Sequence, residues 1–353
     1  MISRIVSQLK SNRSRKIAAL VVLFCLAVLA AIGVTWLWPQ QPVAETPGVA
    51  QAAELVSSTE PIQPIPLELD EPLNPNRVKL GDQLFHDTRL SADNTVSCAT
   101  CHALDKGGTD RKVISIGMAG GNTGLNSPTV FNTGFMHRLN WDGSAESLEE
   151  QTKGPIASVG EMGGMTWQDV VRKLGKEAAY RDGFTQAYDD GLTPENVRDA
   201  IATFQRSLFT PNAPFDQYLR GQKDAISDEA KAGYDRFKSY GCVSCHQGML
   251  VGGNMFQTLG IFGNYFEDRG TPVTKKDLGR YNVTKNDLDL HVFKVPTLRN
   301  ITLTSPYFHD GYAKTLDDAI KLMGKYQLGV DIPQADVDLI MQFLQSLTGE
   351  IQG

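Results

Sequence analysis

The hydrophobic pattern opens with a single long block. Sixteen residues carrying Arg4, Lys10, Arg13, Arg15 and Lys16, and no acid, lead into Ile17–Trp38, 22 residues without a charge that end in Trp36 and Trp38. At about 1.5 Å per residue such a run spans a bilayer, with its positive flank inside and its aromatic residues at the far interface. It predicts a signal anchor: residues 1–38 form a cytoplasmic stub and one transmembrane helix, and everything after them is exported. The competing pattern is a cleaved signal peptide, with an apolar core of about 7 to 15 residues and a small-x-small cut. Gly48-Val49-Ala50 offers such a cut, well beyond the run, and would leave a soluble exported protein. Cys25, preceded by Leu23 and Phe24, reads as a small apolar residue inside the span.

Residues 39–75 change character, with Pro, Ala, Glu and Gln dominating and few large apolar side chains. Such a stretch predicts a flexible, extended tether. From Asn76 onward the helical period prevails. Thr193-Pro194-Glu195 supplies an N-cap, a first-turn proline and an acid at the positive helix end, ahead of Val197, Ile201, Phe204 and Leu208 on one face. Ser227-Asp228-Glu229 starts another helix through Tyr234 and Phe237 that stops at Gly241, and Pro333 precedes a stripe of Val337, Ile340, Leu344 and Leu347. Gly117 to Gly121 and Gly160 to Gly164 predict loops. The fold class is therefore mainly α. The exported part is too long for one small core and suits two domains, 76–211 and 212–353, split near Pro211-Asn212-Ala213-Pro214, the last few residues packing back on the first.

Charge narrows the partners. Of 34 basic and 40 acidic residues, the five basic ones before the span drop out, leaving 29 against 40 and a net of −11 on the exported part. Nucleic acid is excluded as a partner, and a basic face on an electron donor is favoured.

The chemistry lies in two copies of Cys-x-x-Cys-His, Cys98-Ala99-Thr100-Cys101-His102 and Cys242-Val243-Ser244-Cys245-His246. Cysteines at i and i+3 share one face of a helical turn and can each form a thioether with a haem vinyl group, while the following histidine reaches the iron. A zinc ribbon would keep its half-sites roughly 15 to 20 residues apart; these lie 144 apart. Two covalently bound c-type haems are expected, one for each half. Haem attachment of this kind is extracytoplasmic in bacteria, in agreement with the export signal.

Further segments carry a resemblance. Leu84-Phe85-His86-Asp87-Thr88-Arg89-Leu90-Ser91, Asn126-Ser127-Pro128-Thr129-Val130, Trp141-Asp142-Gly143, Lys153-Gly154-Pro155, Pro211 to Asp216, Leu298-Arg299-Asn300, Pro306-Tyr307-Phe308-His309 and Met323-Gly324 together resemble the bacterial di-haem cytochrome c peroxidases, the group that includes the MauG-type enzymes. The resemblance runs from about Leu80 to Gly349. It implies two cytochrome c-like domains, with a peroxidatic haem held by His102 in the first and an electron-transfer haem held by His246 and Met323 in the second. It also implies Glu161 as distal acid/base, Gln151 as the amide that positions the ligand, and Trp141 as the indole between the haems. One Ca²⁺ would be held by Asn126 with Thr304 and Pro306, an oxygen set that suits this ion, and His309 would bond a propionate. Family members commonly carry histidine as the removable sixth ligand of the first haem. No histidine occurs between His102 and His137 here, and Met118, in a Gly-flanked mobile loop, takes that place. MauG-type enzymes have tyrosine where Met323 stands, so Met323 favours a peroxidase.

The implied function is reduction of hydrogen peroxide to water by a single-pass inner-membrane protein with its catalytic part in the periplasm, drawing electrons from a small c-type cytochrome, a copper protein or quinol. A homodimer is compatible with it. The alternatives are a non-catalytic di-haem electron-transfer cytochrome, which would need neither Glu161 nor Gln151, and a MauG-like protein-modifying oxidase.

Overall fold

Two helix crossings organise the molecule, and each is closed by a glycine. In the first half, helix Pro75–His86 packs on helix Pro194–Ser207 so tightly that a Cβ on Gly81 would lie 2.0 Å from the Ala200 carbonyl oxygen. In the second, helix Asp228–Ser239 packs on helix Gln334–Ser346, where a Cβ on Gly233 would lie 1.9 Å from the Leu339 carbonyl. Only glycine permits such backbone approach. The computed structural model describes residues 60–351. The Ile17–Trp38 run, Cys25 and the small-residue cut at Gly48 to Ala50 lie outside them, and among the described residues no helix is long and apolar enough to cross a membrane.

The helix starts follow the expected chemistry. Asn74 Oδ1 accepts from the Asn76 and Arg77 amides ahead of Pro75 at N1, Thr193 Oγ1 accepts from Asn196, and Ser227 Oγ from Ala230. The predicted stripes are buried: Val197 at 0%, Ile201, Phe204 and Leu208 in the first half, and Val337, Ile340, Leu344 and Leu347 in the second. Gly241, at φ +83°, turns the chain from helix Asp228–Ser239 into the second Cys-x-x-Cys-His segment. Strand is confined to a short antiparallel pair, β1 (Phe256–Thr258) and β2 (Val292–Lys294), with Phe256 opposite Lys294.

The halves on either side of Pro211–Pro214 are two cores of one compact unit, Ser58–Gly353. Thr210 stitches them together, its hydroxyl accepting from Asn132 Nδ2 and Asn300 Nδ2, both at 3.0 Å. Ile351 returns to the first half, against the cluster around Phe85 and Phe204.

The tether expectation fails over residues 60–66. Ile62 and Ile65 are fully buried, and the Pro61 carbonyl accepts from the Gly248 amide at 2.8 Å. The Ile65 amide donates to Asp216, the Ile65 carbonyl accepts from Arg220, and the Gln63 carbonyl accepts from Arg299. Prolines keep this segment extended, as the composition suggests, but two isoleucines spaced three apart supply the apolar area that fastens it down.

Candidate active site

Helix Cys98–Cys101 presents its cysteines to a cavity of about 450 Å³ in the first half, and His102 follows at its end. Phe85, Leu90, Val96, Val130, Ile156 and Ile201 form apolar walls. The His102 Nδ1 faces the Gly108 carbonyl at 3.2 Å and burial lowers its pKa, so the ring is neutral and Nε2 is left for a metal. The second site repeats this: His246 Nδ1 faces the Val251 carbonyl at 3.2 Å, and burial takes the ring down to about 4. Burial pushes the Cys98 thiol up to about 12 and those of Cys101 and Cys242 to about 11, opposite to the depressed value of a thioredoxin-like redox pair. The donor sets and the apolar cavity fit covalent haem.

The polar side of the first cavity collects the residues the resemblance selected. Glu161, Gln151, Trp141 and Asn126 all line it. Glu161 comes from the Gly160–Gly164 loop, where the Ser158 carbonyl accepts from the amides of Glu161 to Gly164 and folds the turn tightly. Burial raises the Glu161 carboxyl above its ordinary value, opposed by the Lys276 ammonium and by a hydrogen bond from Ser158. A raised pKa brings a carboxyl closer to the working pH, where a general acid/base is most effective. Gln151 ends helix Leu148–Gln151, whose N-cap Ser147 fixes its direction, and its amide donates to Asn140 Oδ1 at 3.4 Å.

Trp141 reaches both halves. It lines the first cavity while packing with the aromatic cluster of Tyr265, Phe266, Phe293 and Tyr326 in the second. Its Nε1 donates to the Asn126 carbonyl at 2.9 Å, and its own carbonyl accepts from the Lys294 amide at 2.8 Å. Asn126 is buried, its amide donating to the His309 carbonyl and its Nδ2 to the Lys112 carbonyl. Arg111 donates to the Leu303 carbonyl, just ahead of Thr304 and Pro306. The segments expected to hold calcium therefore meet from both halves.

The Met118 loop differs from expectation. Gly117 lines the cavity, but the Met118 thioether lies against Gly163, with Sδ 2.7 Å from where a Cβ there would stand. The loop carrying it is pinned as well, because the Gly117 and Gly121 backbones rest directly on Gly160. His309 does not line the cavity; its Nε2 contacts Asp277 at 2.8 Å and its ring stacks on Phe293. Asp277, His309 and Asp310 have metal-like spacing, yet Arg269 occupies the cluster with ion pairs of 2.8 and 2.6 Å to the two carboxylates. Although burial opposes its charge, hydrogen bonds from His309 and Arg269 hold the Asp277 carboxyl far below its ordinary value. Met323 is the last residue of helix Leu316–Met323, half-buried. The other histidines have local partners: His86 faces Asp82, His137 the Gly253 carbonyl and His291 the Asp277 carbonyl. Sequence reasoning missed Lys276, which lines the cavity from the second half; nothing about one lysine in an exposed loop marks it.

Residues 75–224 match the family model described as di-haem cytochrome c peroxidase. The chain is 41% identical over 300 residues to cytochrome c551 peroxidase of Nitrosomonas europaea, covering 85% of this chain and 87% of that protein. The chain belongs to the di-haem cytochrome c peroxidase family. A second relative, cytochrome c551 peroxidase of Pseudomonas aeruginosa, is 38% identical, with 82% of this chain and 84% of that protein covered. Cytochrome c peroxidase Ccp of Escherichia coli is 46% identical over 82% of this chain, which spans 61% of that protein's length. Among solved structures, a MauG-like protein associated with microbial copper homeostasis superposes with a TM-score of 0.70 at 26% identity, covering 84% of this chain and 96% of that one. Membership brings two c-type haems and the cytochrome c peroxidase class of enzyme, on the strength of the two relatives matched over nearly their whole length.

Proposed function

We propose that the chain reduces hydrogen peroxide to water at the first haem site, with electrons received at the second. The observation that carries this is the convergence of Glu161 and Gln151 on the cavity lined by Cys98, Cys101 and His102. A protein that only relays electrons has no use for a half-buried acid and an amide there. The first haem supplies the redox-active iron when bound. The residues do the proton work: the Glu161 carboxylate accepts the proton of the inner peroxide oxygen and returns it to the outer oxygen, which leaves as water. The Gln151 amide orients the peroxide. Two electrons and two further protons complete the conversion to two water molecules.

In this reading His102 and Met118 would hold the iron of the first haem, and His246 and Met323 that of the second. Trp141, packed against both halves, is the bridge between them. Calcium would sit on oxygens of Asn126, Thr304 and Pro306. The donor is a small c-type cytochrome, a copper protein or quinol, and residues 17–38 anchor the protein in the inner membrane with the haem domains in the periplasm. Glu161→Gln should keep both haem spectra and lower steady-state peroxide turnover by about 10²-fold, the usual scale for a general acid/base. Turnover within about threefold of the parent, assayed with a panel of reduced donors, removes Glu161 from the mechanism.

A further inference from the structure

Two cations at the contact between the halves, Lys294 buried and Arg280 half-buried, have no carboxylate partner among the described residues. Lys294, 7% exposed, lies in an otherwise apolar strand segment, and among the described residues its ammonium has one hydrogen-bond contact, the Met136 sulfur at 3.7 Å. Arg280 lies over the Phe256 ring at 4.1 Å, and its Nη1 is buried without a hydrogen-bond partner. Among the described residues neither forms an ion pair. Asp142, the acid next to Gly143, accepts from the Ser144 amide instead. A buried ammonium without a partner is poorly solvated, and an anion placed here would stabilise it.

Phe256 links the two cations. Phe256 faces Lys294 across the β1–β2 ladder and carries Arg280 on its ring. Both also touch one turn of the first half: the Lys294 amide donates to the Trp141 carbonyl, and a Cβ on Gly143 would lie 3.2 Å from Arg280 Nη1. Neither lines the His102 cavity. They belong with the other site, because the chain leaving β2 runs along the loop that follows His246. The Gly253 amide donates to the Val295 carbonyl, and a Cβ on Gly252 would lie 2.1 Å from the Pro296 oxygen and 3.3 Å from His246 Nδ1.

We propose that Lys294 and Arg280 hold the propionates of the haem attached at Cys242 and Cys245, neutralising them beside Trp141. A haem brings two carboxylates, and an arginine with a free N–H and a lysine suit them as charge-assisted donors. The pairing raises the potential of that haem, since positive charge near the ring favours the added electron. It rests on the second haem alone, not on the direction of electron flow or on peroxide turnover.

The test is a redox titration of the holoprotein followed by the absorbance of each haem, with resonance Raman spectra of the propionate bending modes. Lys294→Gln should weaken reduction of the His246 haem by on the order of tenfold, about 59 mV for a one-electron couple, shift its propionate modes, and leave the His102 haem unchanged. Lys294→Arg should restore the parent value. Arg280→Gln gives the same reading from the other cation, and decides the matter if Lys294→Gln does not accumulate. Unaltered potential and propionate modes of the His246 haem, or a shift confined to the His102 haem, overturn the proposal.

Discussion

The Met118 amide donates to the Glu161 carbonyl at 2.8 Å, so the loop expected to supply the sixth iron ligand and the loop carrying the acid/base are one hydrogen-bonded unit. Gly117 and Gly121 make this contact close, since a Cβ on either would fall 2.2 or 2.4 Å from the Gly160 oxygen. A displacement of the Met118 backbone therefore pulls on the Glu161 backbone. The backbones of the two loops are coupled through this one bond.

Met118→Ala isolates the side chain from this coupling. The backbone bond survives, so Glu161 keeps its position, while the thioether is gone. The His102 haem should turn to a high-spin ferric spectrum and react with peroxide without prior reduction, whereas Met118→His should make the reaction depend on a reduced second haem. A ferric spectrum identical to the parent's in Met118→Ala would remove Met118 from the iron.

If Glu161 is the acid/base, Lys276 is expected to set the acidic limb of the pH profile. Burial raises the Glu161 carboxyl and the Lys276 ammonium pulls it back. Removing that cation in Lys276→Met leaves burial less opposed, so the carboxylate form appears only at higher pH. The acidic limb of kcat/KM should move upward, with the haem spectra unchanged. A limb that stays in place, or moves down, shows that Lys276 does not act on Glu161.

The Arg299–Asp216 pair tests what holds the 60–66 strap. Both side chains are 0% exposed and 2.7 Å apart. Burial raises the Asp216 carboxyl against the pull of Arg299, which shows how much the acid depends on its partner. Arg299→Met strands a buried carboxylate and removes the donor to Gln63, so a loss of about 3–5 kcal/mol is expected. Thermal denaturation should fall accordingly, and proteolysis should open near residue 60 first. Full retention of stability would contradict this ledger of one pair.

Met323→His addresses the second haem. Imidazole stabilises ferric iron relative to a thioether, so the midpoint potential of the His246 haem should drop and reduction by donors should slow. The readout is a redox titration at the wavelengths of that haem. An unmoved midpoint would mean that Met323 is not a ligand.

The sequence by itself determined the two haem attachment points, the helical class and the faces of the main helices. These features are written locally: Cys-x-x-Cys-His acts over one turn, and the stripe from Val197 to Leu208 needs only the helical period to declare which side is buried. It also pointed to the segments that supply Glu161, Gln151 and Trp141, through their resemblance to a family. Tertiary structure alone decided the rest. Lys276 enters the first cavity from the other half of the chain. Phe256 stands opposite Lys294 and carries Arg280 on its ring, and a prolyl segment expected to hang free is fastened by Ile62 and Ile65. The physical reason is distance along the chain. A charge signals its role only through what lies within a few ångströms, and for these residues those neighbours arrive from remote segments.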